Sequence, residues 1–325
     1  MRMSFSKNVK DELALQINQA RHCRIAELAA ILAYGAEVIE SKNHLFLRLQ
    51  TETIGLARKY FTLMRKTFNI NIDVLVRRNI NSKDNQIYIL IVKDKDMVLN
   101  ILQATKQIIT DGRIGHPDQI VTRSACCKRA FIRGAFLRSG SMSNPKKSYH
   151  LEFVTEDEEK AELLSEMISS FYLDAKIVKR KKYYVVYLKE GSQIVDILNV
   201  MEAHVSLMNL ENVRILKEMR NQVNRQVNCE AANITKTVTA ASKHIEDILF
   251  IRDNVGFGNL DKGLYEIAKL RIEHPEASLK ELGTMLLPPI GKSGVNHRLR
   301  KLSMMAEYFR EHKEENINDK EGNSN

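Results

Sequence analysis

The stretch 278–302 reads SLKELGTMLLPPIGKSGVNHRLRKL and determines the fold of the C-terminal part of the chain. Ser278 is followed three residues later by Glu281, the pattern of a capping box, which predicts the start of a helix. The Pro-Pro pair at 288–289 cannot donate backbone hydrogen bonds, so this helix is expected to end near Leu287. The residues after the pair predict a second helix, joined to the first by a short turn.

The second helix of this pair has an apolar side and a basic side. Its apolar residues recur at spacings of four and three, and Ser293 is the expected N-cap. Residues 291–302 hold four cations and no carboxylate, which suits a surface that meets phosphates and the acceptor-rich edge of guanine. Asn296 could pair with adenine, and Arg298 ranks below Arg300 because it lies nearer the buried side. The candidate DNA-binding residues are Lys292, Ser293, Asn296, His297, Arg298, Arg300 and Lys301. The competing interpretation is an ordinary surface helix with a solvated basic side.

A third predicted helix completes this module. Leu264, Ile267, Ala268 and Ile272 recur at helical spacing before the His-Pro pair at 274–275 ends the run. We expect an all-α helix-turn-helix domain over 259–312, followed by a disordered polar tail over 313–325. The module resembles the DNA-binding fourth region of bacterial sigma factors.

Composition and charge favour a soluble protein with a polyanionic partner. The 325 residues are 44% hydrophobic and 28% charged, and the formal net charge is +10 with a pI near 9.3. Residues 119–151 contain no Asp or Glu. A possible second DNA surface comprises Lys128, Arg129, Arg133, Arg138, Lys146 and Lys147, with Asn224 and Arg225 of an expected helical connector over 206–258. The Asn-rich part of the connector, 224–233, is expected at a helix boundary. It is either a hinge that faces DNA or docks a domain, or only a set of helix caps and turns.

The four cysteines do not indicate an extracellular or metal-binding protein. Cys23, Cys126, Cys127 and Cys229 show neither a disulfide framework nor the paired spacing of a zinc site, and neighbouring cysteines do not readily bind one metal ion together. No apolar run approaches the roughly 18 residues of a membrane span. We therefore expect no metal, no cofactor, no membrane partner and a cytoplasmic location.

An internal repeat sets the fold of residues 1–205. Residues 88–94 (YILIVKD) return as residues 184–190 (YVVYLKE), an offset of 96, and the helices that follow also match. Upstream, a small-residue helix, a strand and an amphipathic helix recur in the same order. The sequence predicts an αβαββα pattern twice, in copies spanning about 22–106 and 127–202.

The opening helices of the two copies carry the motif of a known family. Residues 28–36 (LAAILAYGA) and 132–140 (IRGAFLRSG) resemble the paired motifs of LAGLIDADG homing endonucleases. The resemblance implies an α+β fold with a pseudo-twofold axis between these helices. In such nucleases the eighth motif position is an acid that helps to hold a divalent metal. Gly35 and Ser139 occupy those positions here, which predicts a degenerate domain without a metal centre, catalytic residues or cleavage.

The combination of all these features resembles one family closely. A duplicated, degenerate LAGLIDADG-like domain followed by a helix-turn-helix domain is similar to the WhiA family of bacterial regulators, with the most specific matches at 128–141, 224–233 and 289–300. The resemblance implies nucleoid-associated, sequence-specific binding of double-stranded DNA, transcription regulation, and roles in cell division, chromosome segregation and, in lineages that sporulate, sporulation. One alternative is an adaptor whose nuclease-like domain binds an RNA polymerase sigma factor or division proteins. Another is a residual endonuclease.

Overall fold

The computed structural model describes residues 4–41, 44–78, 86–110 and 112–321. It divides into two compact units, Met1–Glu218 and Met219–Asn325. Within the described ranges no helix is both long and apolar enough to cross a membrane.

The first unit contains both copies of the repeat, preceded by helix α1 (Phe5–Leu15). The first copy comprises α2 (Arg21–Gly35), β1 (Ala36–Ser41), β2 (His44–Thr51), α3 (Ile54–Phe68), β3 (Asp73–Arg78), β4 (Gln86–Val92) and α4 (Lys95–Thr105). A short hairpin of β5 (Ile109–Thr110) and β6 (Arg113–Ile114) follows it. The second copy comprises α5 (Ala125–Ser139), β7 (Gly140–Met142), β8 (Leu151–Thr155), α6 (Glu158–Ser169), β9 (Lys176–Arg180), β10 (Tyr183–Leu188) and α7 (Gly191–Val200).

The predicted fold class is confirmed, but each copy has one strand more than predicted. β1 and β7 begin directly after the opening helices, so the pattern is αββαββα rather than αβαββα. The sequence does not predict these strands because each begins directly after its motif helix, where a single glycine, Gly35 or Gly140, belongs to the motif itself, and β7 has only 3 residues. The α1 helix and the β5–β6 hairpin were also not predicted.

The two antiparallel sheets show the duplication in their strand order. The first sheet has the order β3-β4-β2-β1-β6-β5 and the second β9-β10-β8-β7, so the four equivalent strands lie in the same sequence in both. One continuous apolar core fills the space between sheets and helices, and α2 and α5 pack along each other within it. A Cβ on Gly134 of α5 would lie 2.5 Å from the carbonyl oxygen of Glu27 on α2. The motif glycine therefore allows the close approach that the resemblance implied.

A buried ion cluster crosses between the two copies. The Glu27 carboxylate lies 2.7 Å from Lys59 Nζ and 3.0 Å from Arg133 Nε, and all three side chains are at most 1% exposed. Arg133 also reaches Glu202 at 2.6 Å, and Lys59 donates to the carbonyl oxygens of Leu13 and Gln16. Burial lowers the pKa of Lys59, and the Glu27 carboxylate opposes that change. The cluster ties α2, α3 and α5 together.

The second unit is helical. It contains the later part of α8 (His204–Asn254), then α9 (Lys262–Glu273), α10 (Leu279–Met285) and α11 (Lys292–Glu321). The helix boundary expected near 224–233 is wrong, because α8 continues through this segment, which contains neither Gly nor Pro. An Asn inside a helix costs less than about 1 kcal/mol relative to Ala, which is too little to end it. The tail expected to be disordered from 313 is helical as far as Glu321, and residues 322–325 lie outside the described residues.

Candidate nucleic-acid interface

The helix pair at 278–302 folds as its turn signals predict. The Ser278 hydroxyl accepts from Glu281 N, and the Glu281 carboxylate accepts from Ser278 N at 2.7 Å, so the capping box is complete. The α10 helix ends at Met285, two residues before the predicted Leu287. A Cβ on Gly283 would lie 2.3 Å from the carbonyl oxygen of Ile290, so the chain folds back closely over α10.

The start of the second helix requires a correction. The α11 helix begins at Lys292, and the Gly291 carbonyl accepts from the amides of Gly294 and Val295. Ser293 is therefore inside the first turn rather than the N-cap. Its side chain is exposed, so it stays available to a partner while its backbone belongs to the helix.

Packing fixes which side of α11 meets solvent. Val295 and Leu299 are fully buried and Leu302 is 1% exposed, within the core that also holds Leu264 and Ile267 of α9. The opposite side, which we call the basic face, is exposed. It consists of Lys292, Ser293, Asn296, His297, Arg300 and Lys301.

The side chains of the basic face are mostly free. No hydrogen bond or ion pair engages Asn296, His297 or Arg300 among the residues that the structure describes. Lys301 Nζ lies 3.5 Å from the Asp261 carboxylate, where both side chains are at least half exposed. Such a surface ion pair contributes about 0–1 kcal/mol to the free energy of unfolding, so a phosphate can readily displace the Asp261 carboxylate. The basic face therefore offers one amide, one imidazole and three cations to a partner.

Arg298 lies apart from the basic face. Its guanidinium donates to the Gly263 carbonyl oxygen at 3.3 Å and packs 3.1 Å from the point where a Gly263 Cβ would stand. It is half-buried against α9. Arg298 therefore stabilises the packing of α11 against α9, and it is a weaker candidate for a base contact than Arg300, as its position near the buried side predicts.

The former acid positions lie at the C-terminal ends of α2 and α5. Gly35 has no side chain, and a Cβ there would lie 1.8 Å from Arg138 Nε, so the arginine fills the space. Ser139 donates its hydroxyl proton to the Ala135 carbonyl oxygen at 2.9 Å. A guanidinium thus lies where the homing endonuclease motif has its acid.

A second cation lies close to Arg138. Burial, with the nearby charge of Arg138, lowers the pKa of Lys10 from 10.5 to about 8, and burial also lowers the pKa of Arg138. The acid nearest in sequence to the lost acid position, Glu37, is paired with Arg48 at 2.6 Å. The cavity beside Gly35 and Ser139 is lined by the Arg138 guanidinium and by the carboxylates of Glu37, Glu156 and Asp157, and the two former acid positions themselves supply no acid.

Residues of the proposed second DNA surface are not equivalent in the structure. Lys146 and Lys147 are exposed, and Lys128 is half-buried. Arg129 is half-buried with its guanidinium 5.4 Å from the centre of the Phe171 ring. One expectation fails by burial: Arg133 is 1% exposed inside the ion cluster and is withdrawn from the surface. Arg138 is half-buried, with its guanidinium in the space beside Gly35. Asn224 and Arg225 are exposed on α8, in the second unit, whereas the other cations belong to the first.

Family models match the chain in three consecutive blocks. Residues 21–108 match the N-terminal LAGLIDADG-like domain of WhiA, residues 128–220 match the WhiA LAGLIDADG-like domain, and residues 223–306 match the WhiA C-terminal helix-turn-helix domain. The chain belongs to the WhiA family. The two nuclease-like blocks coincide with the two copies of the repeat, and the third contains the basic face.

Full-length WhiA relatives extend this finding over nearly the whole chain. A protein of Lachnoclostridium phytofermentans named "Probable cell division protein WhiA" is 60% identical over 314 residues, which cover 95% of this chain and 100% of the relative. A protein of the same name from Alkaliphilus oremlandii is 47% identical over 97% of this chain and 100% of its own length. The crystal structure of full-length DUF199/WhiA from Thermotoga maritima shares the fold, with 24% identity, a TM-score of 0.58, and 94% of this chain and 99% of that chain covered.

Proposed function

We propose that the chain is a non-enzymatic, sequence-specific DNA-binding regulator of transcription that acts in cell division and chromosome segregation, and in sporulation where the organism sporulates. One observation carries the proposal: the buried Val295–Leu302 stripe turns Asn296, His297 and Arg300 outward, with no partner for their side chains among the described residues. An Asn bonds adenine and an Arg bonds guanine in the major groove, which an α-helix can enter. The names of the relatives support the role in cell division. A cytoplasmic, nucleoid-associated location follows from such a function.

The first unit contributes affinity in this proposal. Lys146 and Lys147 are exposed, and Arg138 and Lys10 supply cations near the lost acid positions. Such cations bind backbone phosphates and do not distinguish one base sequence from another. The two units then act on one duplex through effective concentration, so each can have a modest interface.

Selection from random double-stranded DNA tests the proposal. Repeated rounds of binding to the full chain are expected to enrich one motif, and footprinting is expected to place the chain on that motif. Mapping of bound DNA in intact cells should recover the same motif upstream of genes. Enrichment without any common motif would contradict sequence-specific binding.

The absence of nuclease activity has a separate test. Supercoiled plasmid that carries the selected motif is incubated with the chain and Mg²⁺ or Mn²⁺. We expect no nicking above the level of a chain-free control, because a guanidinium stands beside Gly35 and neither motif helix supplies the acid. Reproducible nicking at the motif would show a rearranged metal site and would defeat the non-enzymatic assignment.

A further inference from the structure

A cluster of one histidine and three cysteines lies at the N-terminal ends of the two motif helices. His22, Cys23, Cys126 and Cys127 place their ligand atoms within 4.8 Å of one another. The His22 Nδ1 atom is 3.1 Å from Cys127 Sγ and 3.4 Å from Cys23 Sγ. The sequence alone predicted no metal site, because the cysteines lack the paired spacing of a zinc site and neighbouring cysteines do not readily bind one metal ion together. The neighbouring cysteines nevertheless converge in the fold.

The four residues occupy matching places in the two copies. His22 and Cys23 are the second and third residues of α2, and Cys126 and Cys127 are the second and third residues of α5. His22 lies 104 residues before Cys126, and Cys23 lies 104 residues before Cys127. The same offset separates Gly35 from Ser139. Each copy thus supplies two ligands at the N-terminal end of its motif helix. The lost acid positions lie at the other end of the same helices, about 20 Å away at 1.5 Å per residue.

The ligand set and its spacing fit one small tetrahedral cation. With metal–sulfur bonds of about 2.3 Å and metal–nitrogen bonds of about 2.0 Å, tetrahedral ligand atoms lie roughly 3.5–3.8 Å apart. The observed separations bracket this range, and rotation of the exposed His22 and Cys126 side chains can close the longer ones. Thiolates and imidazole are the ligands that zinc prefers, whereas Mg²⁺ and Ca²⁺ prefer oxygen.

Burial raises the pKa of the Cys23 and Cys127 thiols, so a metal ion that binds here must displace their protons. The second and third residues of a helix lie at its positive end, where the free backbone N–H groups stabilise anions. Arg21, Arg24 and Lys128 flank the two pairs in sequence, and no carboxylate lies between 119 and 151. Three thiolates and one Zn²⁺ carry a net charge of −1, which these cations balance.

We propose that His22, Cys23, Cys126 and Cys127 form a structural Zn²⁺ site that joins the two copies of the repeat. Four protein ligands close the coordination sphere, so the ion has no position for water or substrate and serves packing rather than catalysis. It fixes the N-terminal ends of α2 and α5 against each other. The site is independent of DNA binding and of the proposed regulatory function.

Metal content and Co²⁺ spectroscopy of the full chain test the site. The chain is purified under reducing conditions, and its zinc is counted by mass spectrometry of the metal. We expect one Zn²⁺ per chain. After chelation, Co²⁺ should give the intense visible bands of tetrahedral coordination together with thiolate-to-cobalt charge transfer in the near ultraviolet.

Matched cysteine variants distinguish this site from adventitious binding. Cys126→Ser changes an exposed ligand, whereas Cys229→Ser changes an exposed cysteine on α8 outside the cluster. Cys126→Ser should lower Zn²⁺ affinity by at least about tenfold, as loss of a metal-site contact does, and Cys229→Ser should retain the wild-type affinity and spectrum. His22→Ala should weaken the visible bands while keeping the sulfur charge-transfer band. Zinc should raise the thermal midpoint of the wild type and of Cys229→Ser more than that of Cys126→Ser.

Three results would overturn the proposal. The first is a wild-type chain with no zinc and no tetrahedral Co²⁺ spectrum. The second is equal loss of metal in Cys126→Ser and Cys229→Ser, which would mean non-specific thiol binding. The third is a disulfide among Cys23, Cys126 and Cys127 in the freshly reduced and purified chain, detected by mass spectrometry of peptides.

Discussion

Arginines that lie close together in sequence have different environments in this chain. Arg298 and Arg300 are two positions apart on α11, yet the first donates to the Gly263 carbonyl oxygen and the second points to solvent. Arg133 and Arg138 both belong to a basic segment, yet one is buried beside Glu27 and the other fills the space at Gly35. Helical phase separated the first pair correctly. It could not place the second pair, because residues 130–137 of α5 are buried on every side of the helix and so have no solvent-facing side.

Loss of the Arg300 guanidinium is expected to weaken specific DNA binding. Arg300→Ala should cost about 1–3 kcal/mol on the selected motif and relax preference at one base position, as loss of a base contact does. Equilibrium binding to the motif and to scrambled duplexes measures the change. Lys269→Ala is the control, since this exposed lysine lies on α9 beside Glu273. If Arg300→Ala binds the motif with unchanged affinity, Arg300 does not contact a base.

Glu27 is expected to be more important for stability than an exposed glutamate of the same domain. Glu27→Gln leaves the buried cations Lys59 and Arg133 without their shared carboxylate, which should cost about 3–5 kcal/mol of unfolding free energy. Glu37→Gln breaks a pair with Arg48 in which both side chains are over a third exposed, so its cost should stay near 0–1 kcal/mol. Denaturant unfolding of both variants makes the comparison. Equal effects would contradict the role of the ion cluster.

Lys10 is expected to make stability depend on alkaline pH. Its pKa is lowered to about 8, first by burial and then by Arg138, so the folded chain holds this proton less tightly than the unfolded chain. The charged lysine therefore opposes folding below pH 8, and the penalty fades as the pH rises from about 8 to 10.5. Lys10→Met should be more stable than the wild type at pH 7, with a gap that narrows over that interval. Lys7→Met, at an exposed position of α1, should show no such narrowing.

At the scale of elements, the helix pair α2–α5 organises the first unit. Small residues along it allow backbone approach, the ion cluster crosses it, the cysteine pairs lie at one end, and the lost acid positions lie at the other. The helix pair of the second unit depends on the same kind of approach at Gly283.

Adding one methyl group between α2 and α5 is expected to destabilise the first unit. In Gly134→Ala the new Cβ would meet the Glu27 carbonyl oxygen at 2.5 Å and the Ala30 Cβ at 2.9 Å. We expect a loss of about 1–3 kcal/mol, since overpacking exceeds the gain in helix propensity. Gly191→Ala is the control, because its nearest neighbour is the flexible Arg214 side chain at 3.3 Å. Thermal unfolding of both variants decides whether the helices approach this closely.

The sequence predicted most elements, and its failures have local causes. The internal repeat, the capping box at Ser278 and the apolar stripe of α11 are periodic or short-range signals, and all three are confirmed. Strands β1 and β7 begin within one residue of a helix end, with no loop between helix and strand. Ser293 was assigned as an N-cap from its residue type, although Gly291 supplies the cap carbonyl. The His22–Cys127 contact depends on helix pairing, which spacing does not show.

At the scale of the whole molecule, charge is distributed over both compact units. The net charge of +10 includes the basic face of the second unit and the exposed lysines of the acid-free segment in the first. Mutations can therefore separate specific from non-specific DNA binding. Loss of a phosphate contact changes the salt dependence of binding to every sequence, whereas loss of a base contact changes the preference for the motif.

Removal of two exposed lysines of the first unit is expected to change salt dependence without changing specificity. The double variant Lys146→Ala/Lys147→Ala should reduce the slope of log affinity against log salt by up to roughly 1.8, at about 0.9 per lost phosphate contact. The ratio of motif to scrambled affinity should stay constant. Binding titrations over a range of salt concentrations measure both quantities. An unchanged slope would show that these lysines do not contact DNA.

The ion cluster also bears on the history of the duplicated domain. The position equivalent to Glu27 in the second copy is Phe131, and the position equivalent to Arg133 in the first copy is Ala29. A dimer of first copies would bury Glu27 facing an alanine, and a dimer of second copies would bury Arg133 facing a phenylalanine. Each half has thus become the obligate complement of the other. A symmetric dimer of either copy would therefore lack the ion pair between Glu27 and Arg133.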